Sequence, residues 1–318
     1  MKEKIVEQIE SYALSKKARP KAQFAQVGVV GAGTTGQRII LMIATKGIEV
    51  IFLDLSQEKI DQAIREMANE LDNRINHWGM TTGDKRSVLS KIKGTTDYRD
   101  FKDCDLVIEC ILSKVREFSL EIRKNVFKRI EENVRRDAII ATNSSTIVIT
   151  ELSSELEYKD RTLSLHFSTA NPDANIVEVV RGLHTSEEVC ENVNKFATLI
   201  QKIPVPVDES PGLISVRVFV AMMGEACEVF MEGVATKENI DLTMKNGLGL
   251  PLGPFEMADK IGLDKVIRWM DNLYKEFGDI KYKPSPVLKK LVRANRLGRK
   301  SGVGFYFYDQ NGNKVDSK

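Results

Sequence analysis

The chain has 318 residues, of which 42% are hydrophobic, and its formal net charge is only +2. This length exceeds one ordinary small core and predicts about two domains. The small net charge gives no indication of a nucleic acid or another polyanion as a partner. No apolar run reaches the roughly 18 residues that a membrane span needs, which argues against a membrane partner.

The N-terminal segment and the cysteines both favour a cytoplasmic protein. Residues 1–24 lack the apolar core of a signal peptide, and Ile5, Ile9 and Tyr12 form one helical stripe within them. This extension either packs on itself or takes part in a subunit contact, and the sequence does not decide between the two. No cysteine lies in a CxxC pair or in a zinc-site spacing, so we expect reduced thiols and no metal.

Strands and helices alternate through the first part of the chain. Buried β-patterns are predicted at 25–33, 48–55, 105–110, 138–143, 162–167 and 175–180. Helical patterns are predicted at 34–47, in a helical hairpin over about 56–91, and near 115–132 and 147–156. Because buried strands alternate with helices, we predict an α/β fold with a Rossmann-type doubly wound sheet.

The pattern changes at IPVPVDESPG (203–212), and after it we find no convincing strand until the very end. Helical stripes are predicted at 215–233, 237–246, 261–277 and 285–296. We therefore place a domain boundary near Asp208, with an α/β domain over 25–208 and an all-helical domain over 209–318. The apolar stripe that includes Phe219, Met223 and Phe230 favours a homodimer formed through the second domain.

A glycine motif follows the first predicted strand. In GAGTTG, Gly31, Gly33 and Gly36 form a GxGxxG between a strand and a helix, and Asp54 ends the next strand 18 residues after Gly36. The glycines permit a tight turn and close approach of the backbone to a pyrophosphate, and the acid is placed to bind ribose hydroxyls. We predict NAD rather than NADP as the cofactor. The alternative is a glycine-rich turn beside a surface aspartate.

Three polar residues are placed to act near this cofactor. Ser145 follows the fourth predicted strand, His166 ends the next one, and Glu178 lies on the strand after that. Imidazole suits the removal of a hydroxyl proton as hydride leaves, and a carboxylate on its other nitrogen would orient it. Without further support, a single histidine at a strand end is more often structural than catalytic.

Seven segments give the chain a specific resemblance over about Val27–Asp309. They are GAGTTG with Asp54, DLVIEC, ATNSSTIVITEL, LSLHF followed by VEVVRG, PVPVDESPG, GLGLPLGPFEMADKIGLD and LGRKSGVGFYFYD. In these segments the chain resembles the L-3-hydroxyacyl-CoA dehydrogenases, including 3-hydroxybutyryl-CoA dehydrogenase. The last two segments are highly specific, and hydrophobic periodicity does not explain them.

The resemblance implies an NAD-binding domain, a helical domain that carries the dimer interface, and an acyl-CoA substrate in the cleft between them. It implies that Ser145, His166 and Glu178 are catalytic and that Asn143 lies beside the nicotinamide. The leading hypothesis is therefore an NAD-dependent 3-hydroxyacyl-CoA dehydrogenase with His166 as general base. The alternatives are a non-catalytic NAD(H)-binding protein and a dehydrogenase of a free 3-hydroxy acid.

The chain departs from the family pattern at three places. Val216 stands where the family has a catalytic asparagine, and its side chain cannot donate a hydrogen bond. HFSTANP replaces HFFNP, and Ser113 stands where a glutamate near the NAD ribose is expected. These changes predict an altered substrate pocket, with either a different substrate shape or reduced activity, rather than a lost fold. Lys91, Lys93 and Arg86 are candidates for the CoA phosphates, although on sequence alone a solvated basic face is the better explanation of them.

Overall fold

The computed structural model describes residues 24–76, 79–111, 119–167 and 174–315. The predictions for the N-terminal stripe, Ser113 and Asn171-Pro172 lie outside the described residues. The described chain forms an α/β domain built on one large sheet, followed by a domain of helices. The predicted fold class is therefore confirmed.

The large sheet has eight strands in the order β3-β2-β1-β4-β5-β6-β7-β8. The strands are β1 (Gln26–Val30), β2 (Glu49–Leu53), β3 (Ile92–Thr95), β4 (Leu106–Glu109), β5 (Ile139–Thr142), β6 (Thr162–His166), β7 (Ile176–Arg181) and β8 (Ile203–Asp208). All neighbouring strands are parallel except β6 and β7, which pair antiparallel. The six strands from β3 to β6 have the strand order of a Rossmann domain.

Two of these strands were not predicted, namely β3 and β8. The sequence of β3 is IKGT, a short stretch with little apolar character. The sequence of β8 is IPVPVD, in which Pro204 and Pro206 cannot donate to a strand ladder. The structure accommodates both prolines because β8 is the edge strand and pairs only with β7.

Helices cover both faces of the sheet. They are α1 (Thr34–Ala44), α2 (Gln57–Asn76), α3 (Thr82–Leu89), α4 (Ser119–Glu131), α5 (Ile149–Leu152) and α6 (Glu187–Leu199). The predicted hairpin over 56–91 contains α2 and α3, and these two helices contact each other, so the hairpin is confirmed. Buried aliphatic and aromatic side chains fill two separate clusters of the α/β domain.

The second domain packs five helices around a core of its own. They are α7 (Ser215–Met231), α8 (Lys237–Leu248), α9 (Pro254–Ile261), α10 (Leu263–Phe277) and α11 (Pro286–Arg293). Two short strands, β9 (Phe307–Tyr308) and β10 (Lys314–Val315), form a final hairpin. The predicted apolar stripe of α7 supplies much of the core, because Val216, Phe219, Val220, Met223 and Cys227 are all buried.

Two buried aspartates account for GLGLPLGPFEMADKIGLD and LGRKSGVGFYFYD, the two segments that hydrophobic periodicity does not explain. Asp259 of α9 accepts hydrogen bonds from the backbone N–H groups of Phe305 and Tyr306, each at 2.9 Å, and from the Tyr308 hydroxyl at 3.0 Å. Burial raises the pKa of Asp259, against the lowering effect of these donors. The carboxylate thereby attaches the C-terminal segment to α9.

Asp241 of α8 does the same for the start of α9. Its carboxylate accepts from the backbone N–H groups of Phe255 at 2.9 Å and Glu256 at 3.0 Å, and from the Tyr306 hydroxyl at 2.9 Å. Both aspartates are about 1% exposed, so their bonds have no competition from water. The two carboxylates and two tyrosines therefore form one polar network within the helical core.

We expect Asp259→Ala to lower the free energy of unfolding by about 3–5 kcal/mol, because three buried donors lose their acceptor at once. Urea unfolding followed by circular dichroism measures this loss. Asp61→Ala, an exposed change on α2, serves as the matched control and should leave stability almost unchanged. A loss below 1 kcal/mol in Asp259→Ala would show that this network contributes little to stability.

Candidate active site

The glycine motif forms a tight turn between β1 and α1. Gly31 has a φ of +96°, and a Cβ atom there would lie 3.1 Å from the backbone of Ile111. At Gly36 a Cβ atom would lie 2.0 Å from the carbonyl oxygen of Gly31, so only glycine allows α1 to begin so close to the strand. The backbone therefore requires glycine at both positions, as the sequence motif predicted.

The same turn has room for a dinucleotide. Gly33 precedes α1, no side chain caps this helix, and nothing lies within 4 Å of a Cβ atom built on Gly33. The first N–H groups of α1 are thus free to bind an anion. Asp54 lies at the end of β2, where its carboxylate accepts from the N–H groups of Ala32 at 2.9 Å and Leu55 at 2.8 Å. These residues fit NAD.

His166 and Glu178 are direct neighbours across the antiparallel strands β6 and β7. Their side chains meet, with 2.6 Å between His166 Nδ1 and Glu178 Oε2. His166 is 4% exposed and Glu178 is 3% exposed. The structure thus forms the pair that the sequence analysis could only suggest.

The helical domain supplies further partners to Glu178. Its Oε1 accepts from the backbone N–H groups of Ile214 at 3.1 Å and Ser215 at 3.0 Å, and its Oε2 accepts from the Ser215 hydroxyl at 3.0 Å. Burial by itself would raise the pKa of Glu178, but the bonds to His166 and Ser215 outweigh it and hold that pKa below its ordinary value. Glu178 is therefore a carboxylate at neutral pH.

Ser145 and Asn143 lie in the loop that follows β5. Ser145 is buried, and its carbonyl oxygen accepts from the Gly212 N–H at 2.7 Å, which ties this loop to the domain junction. Asn143 Oδ1 accepts from the N–H of Phe167, the residue after His166, at 2.9 Å. The loop and the end of β6 are consequently fixed relative to each other.

A cleft of about 410 Å³ brings these groups together. Its α/β side includes the glycine loop at Gly33, the serine loop at Asn143 and Ser145, and His166. Its other side is formed by α9, α10 and Lys300 of the helical domain. A second link between the domains is the hydrogen bond from Asn272 Nδ2 to Thr146 Oγ1, at 2.9 Å.

The structure corrects two expectations about this cleft, one on Val216 and one on the cations that would bind CoA. Val216 does not border the cleft but is 3% exposed in the core of the helical domain. Lys91 pairs with Glu49, and Lys93 pairs with Asp100, at the end of the sheet opposite to His166. Lys91, Lys93 and Arg86 therefore do not border the cleft.

The cations that do border the cleft escaped the sequence analysis. They are Arg38 of α1, Lys265 and Arg268 of α10, and Arg123, Lys260 and Lys300. Ser215 was missed as well, although its place right after the Pro-Gly junction could have signalled a role at the start of α7. No hydrophobic pattern distinguishes such residues from an ordinary polar helix face.

Metal-binding and membrane-spanning features are absent from the part of the chain that the structure describes. No group of three or more His, Cys, Asp or Glu side chains there could hold a metal ion. All four cysteines are free. None of the described helices is both long and apolar enough to cross a bilayer.

Comparison with known families covers nearly the whole described chain. The sequence profile of the 3-hydroxyacyl-CoA dehydrogenase NAD binding domain matches residues 26–210. The profile of the 3-hydroxyacyl-CoA dehydrogenase C-terminal domain matches residues 212–308. Both profiles therefore match in the order that the two parts of the fold have in this chain.

Individual proteins show the same likeness. The chain is 38% identical over 285 residues to a 3-hydroxybutyryl-CoA dehydrogenase of Clostridioides difficile, an alignment that covers 90% of this chain and 100% of that protein. The crystal structure of (S)-3-hydroxybutyryl-CoA dehydrogenase from Ralstonia eutropha has a TM-score of 0.81 at 37% identity, and covers 90% of this chain and 100% of its own. A diketoreductase acting on dicarbonyl compounds has a TM-score of 0.76 at 28% identity, with 90% and 99% covered.

Proposed function

This chain belongs to the 3-hydroxyacyl-CoA dehydrogenase family and is an NAD-dependent oxidoreductase, and we propose that it interconverts a 3-hydroxyacyl-CoA and the 3-ketoacyl-CoA. A short substrate such as 3-hydroxybutyryl-CoA is the specific proposal. The observation that supports it best is the buried His166–Glu178 pair, which borders the same cleft as the glycine loop.

We assign His166 the role of general base in the oxidising direction. Its Nδ1 is held by Glu178, so the neutral ring carries its proton on Nδ1 and leaves the lone pair of Nε2 for the substrate hydroxyl. NAD would supply the hydride acceptor, and the hydride would leave the carbon atom that bears this hydroxyl group. In the reducing direction the imidazolium returns the proton to the oxygen atom that forms the alcohol.

Glu178 and Ser145 have supporting roles in this proposal. The Glu178 carboxylate fixes the orientation of the imidazole and stabilises its positive charge after proton transfer. Ser145, which borders the cleft with His166, is placed to donate a hydrogen bond to the substrate oxygen. Asn143 would lie beside the nicotinamide, with Gly31, Gly33, Gly36 and Asp54 holding the rest of the cofactor.

The thioester part of the proposal is tested by comparing acetoacetyl-CoA with free acetoacetate as oxidants of NADH. We expect turnover with the thioester at a kcat/KM at least tenfold above that for the free acid. A preference for the free acid would support the second candidate, a dehydrogenase of free 3-hydroxy acids, which the likeness to a diketoreductase keeps open. Tight NADH binding without turnover on either compound would contradict both.

We also propose that the chain forms a homodimer through its helical domain. Val218, Leu242 and Leu248 are exposed there, although they are large and apolar. A nearly apolar groove of about 340 Å³ lies between α7 and α8 on the same domain. Sedimentation equilibrium should give twice the mass of one chain, and a monomer at micromolar concentration would refute the proposal. A cytoplasmic location likewise remains a proposal, which rests on the free cysteines.

A further inference from the structure

Four cations at the cleft have no acidic partner among the described residues, namely Arg38 on α1, Lys260 on α9, and Lys265 and Arg268 on α10. Three of them, Arg38, Lys265 and Arg268, are close enough for the charges of both arginines to act on Lys265, and the two domains each contribute to this set. Lys300 differs from them, because its Nζ lies 2.6 Å from Asp264 Oδ1. Positive charges that face a cleft without a counter-charge favour an anionic ligand.

The environment of Lys265 shows how close these charges are. Burial, together with the positive charges of Arg268, Arg38 and Lys300, lowers the pKa of Lys265 to about 8, against the raising effect of Asp264. Its Nζ lies 5.3 Å from the centre of the Trp269 ring, which offers only a weak cation–π contact. The mutual approach of these positive charges is therefore electrostatically unfavourable.

The position of the three cations indicates which anion they bind. Gly33, Thr34 and Thr35, at the start of α1, border the same cleft. Arg38 follows Thr34 by four residues and thus lies on the same face of α1, one turn farther along. Lys265 and Arg268, three residues apart on α10, border this cleft from the other domain, and the charge of Arg38 acts on Lys265. The free N–H groups of α1 and the cations thus belong to one cleft.

We propose that Arg38, Lys265 and Arg268 form a cation clamp that binds the diphosphate of the dinucleotide from the side of the helical domain. This inference rests on NAD being the cofactor. The clamp adds a contact that the glycine motif alone does not supply, because Lys265 and Arg268 belong to the other domain. Bound cofactor then joins the two domains by offsetting the repulsion across the cleft.

The clamp also makes cofactor binding dependent on pH. A bound diphosphate favours the protonated form of Lys265, so the complex has a higher pKa at this group than the free protein. The affinity for NADH should therefore be constant below about pH 8 and fall as the pH rises above it. The other charged groups around Lys265 are Arg38 and Arg268, together with Asp264 and Lys300, which pair with each other.

The experiment is a titration of NADH followed by its fluorescence, for the full chain and for Lys265→Gln, Arg268→Gln and Arg38→Gln. We expect each substitution to weaken NADH binding about tenfold at pH 7. Lys265→Gln should also abolish the fall in affinity between pH 8 and 9.5. Lys290→Gln, on the exposed side of α11, is the matched control and should bind like the parent.

Competition between NADH and fragments of it shows which part of the cofactor the three cations bind. The substitutions should weaken ADP-ribose, which carries both phosphates, and leave adenosine unaffected. NADH affinities within twofold of the parent in all three variants would overturn the clamp. Weakened acetoacetyl-CoA binding with unchanged NADH binding would assign the cations to the phosphates of CoA instead, which also overturns it. A parent that bound no NADH at all would overturn the cofactor assignment together with the clamp.

Discussion

His166→Gln should lower turnover by about 10³- to 10⁴-fold while leaving the affinity for NADH nearly unchanged. Glutamine preserves a polar side chain against Glu178 but has no group that can accept a proton from the substrate at neutral pH. His166 is only 4% exposed, so the substitution removes a proton-transfer group from a largely desolvated position. Steady-state rates of NADH oxidation and a fluorescence titration of NADH measure the two effects separately.

His184→Gln is the matched control for this substitution. His184 is exposed in the loop after β7 and does not border the cleft, so the same chemical change there should leave turnover within twofold. Turnover of His166→Gln within tenfold of the parent would exclude His166 as the general base. A parallel loss of NADH binding would indicate a distorted cleft rather than lost proton transfer.

The hydrophobic pattern predicted most of the α/β domain because its strands are buried and its glycine turn is chemically specific. It failed at β8, where Pro204 and Pro206 are usually signs against a strand. Only the tertiary arrangement shows that β8 is an edge strand whose nitrogen atoms need no partner on its outer side. The sequence of a strand does not reveal whether the strand lies at the edge or in the interior of the sheet.

The site was predictable where its residues lie on strands that are adjacent in the sequence. His166 and Glu178 occupy adjacent predicted strands, and the register of those strands brings the two side chains together. Ser215, Asp259 and the clamp cations could not be predicted in the same way, because their partners are 37 or more residues distant or lie in another domain. Long-range pairing of polar groups leaves no periodic signal in the sequence.

Glu178→Gln should lower turnover by about 10³- to 10⁴-fold, although the side chain keeps its size. The amide can still accept from the N–H groups of Ile214 and Ser215 through its oxygen, which leaves its NH₂ group to face His166. The imidazole must then accept at Nδ1 and carry its proton on Nε2, where the substrate proton has to arrive. Reduction of NAD by 3-hydroxybutyryl-CoA, the direction in which His166 accepts the proton, measures this loss.

Ser215→Ala tests whether the orientation of the Glu178 carboxylate matters separately from its charge. It removes only the hydroxyl donor at 3.0 Å and keeps the backbone N–H bond, so we expect a loss of about tenfold or less. Equal losses in Ser215→Ala and Glu178→Gln would contradict the tautomer argument. They would mean that any loosening of Glu178 is as harmful as the removal of its charge.

Because the pKa of Glu178 is lowered, Glu178→Gln should also change how the unfolding free energy depends on pH. A carboxylate whose pKa is lower in the folded than in the unfolded state stabilises the fold above the unfolded pKa, and this contribution is lost as the pH falls through the folded pKa. Parent and Glu178→Gln should therefore differ most in unfolding free energy at neutral pH, and the difference should shrink as the pH falls below the ordinary glutamate value of about 4.3. A difference that does not change with pH would show that the hydrogen bonds of Glu178, rather than its charge, stabilise the junction between the two domains.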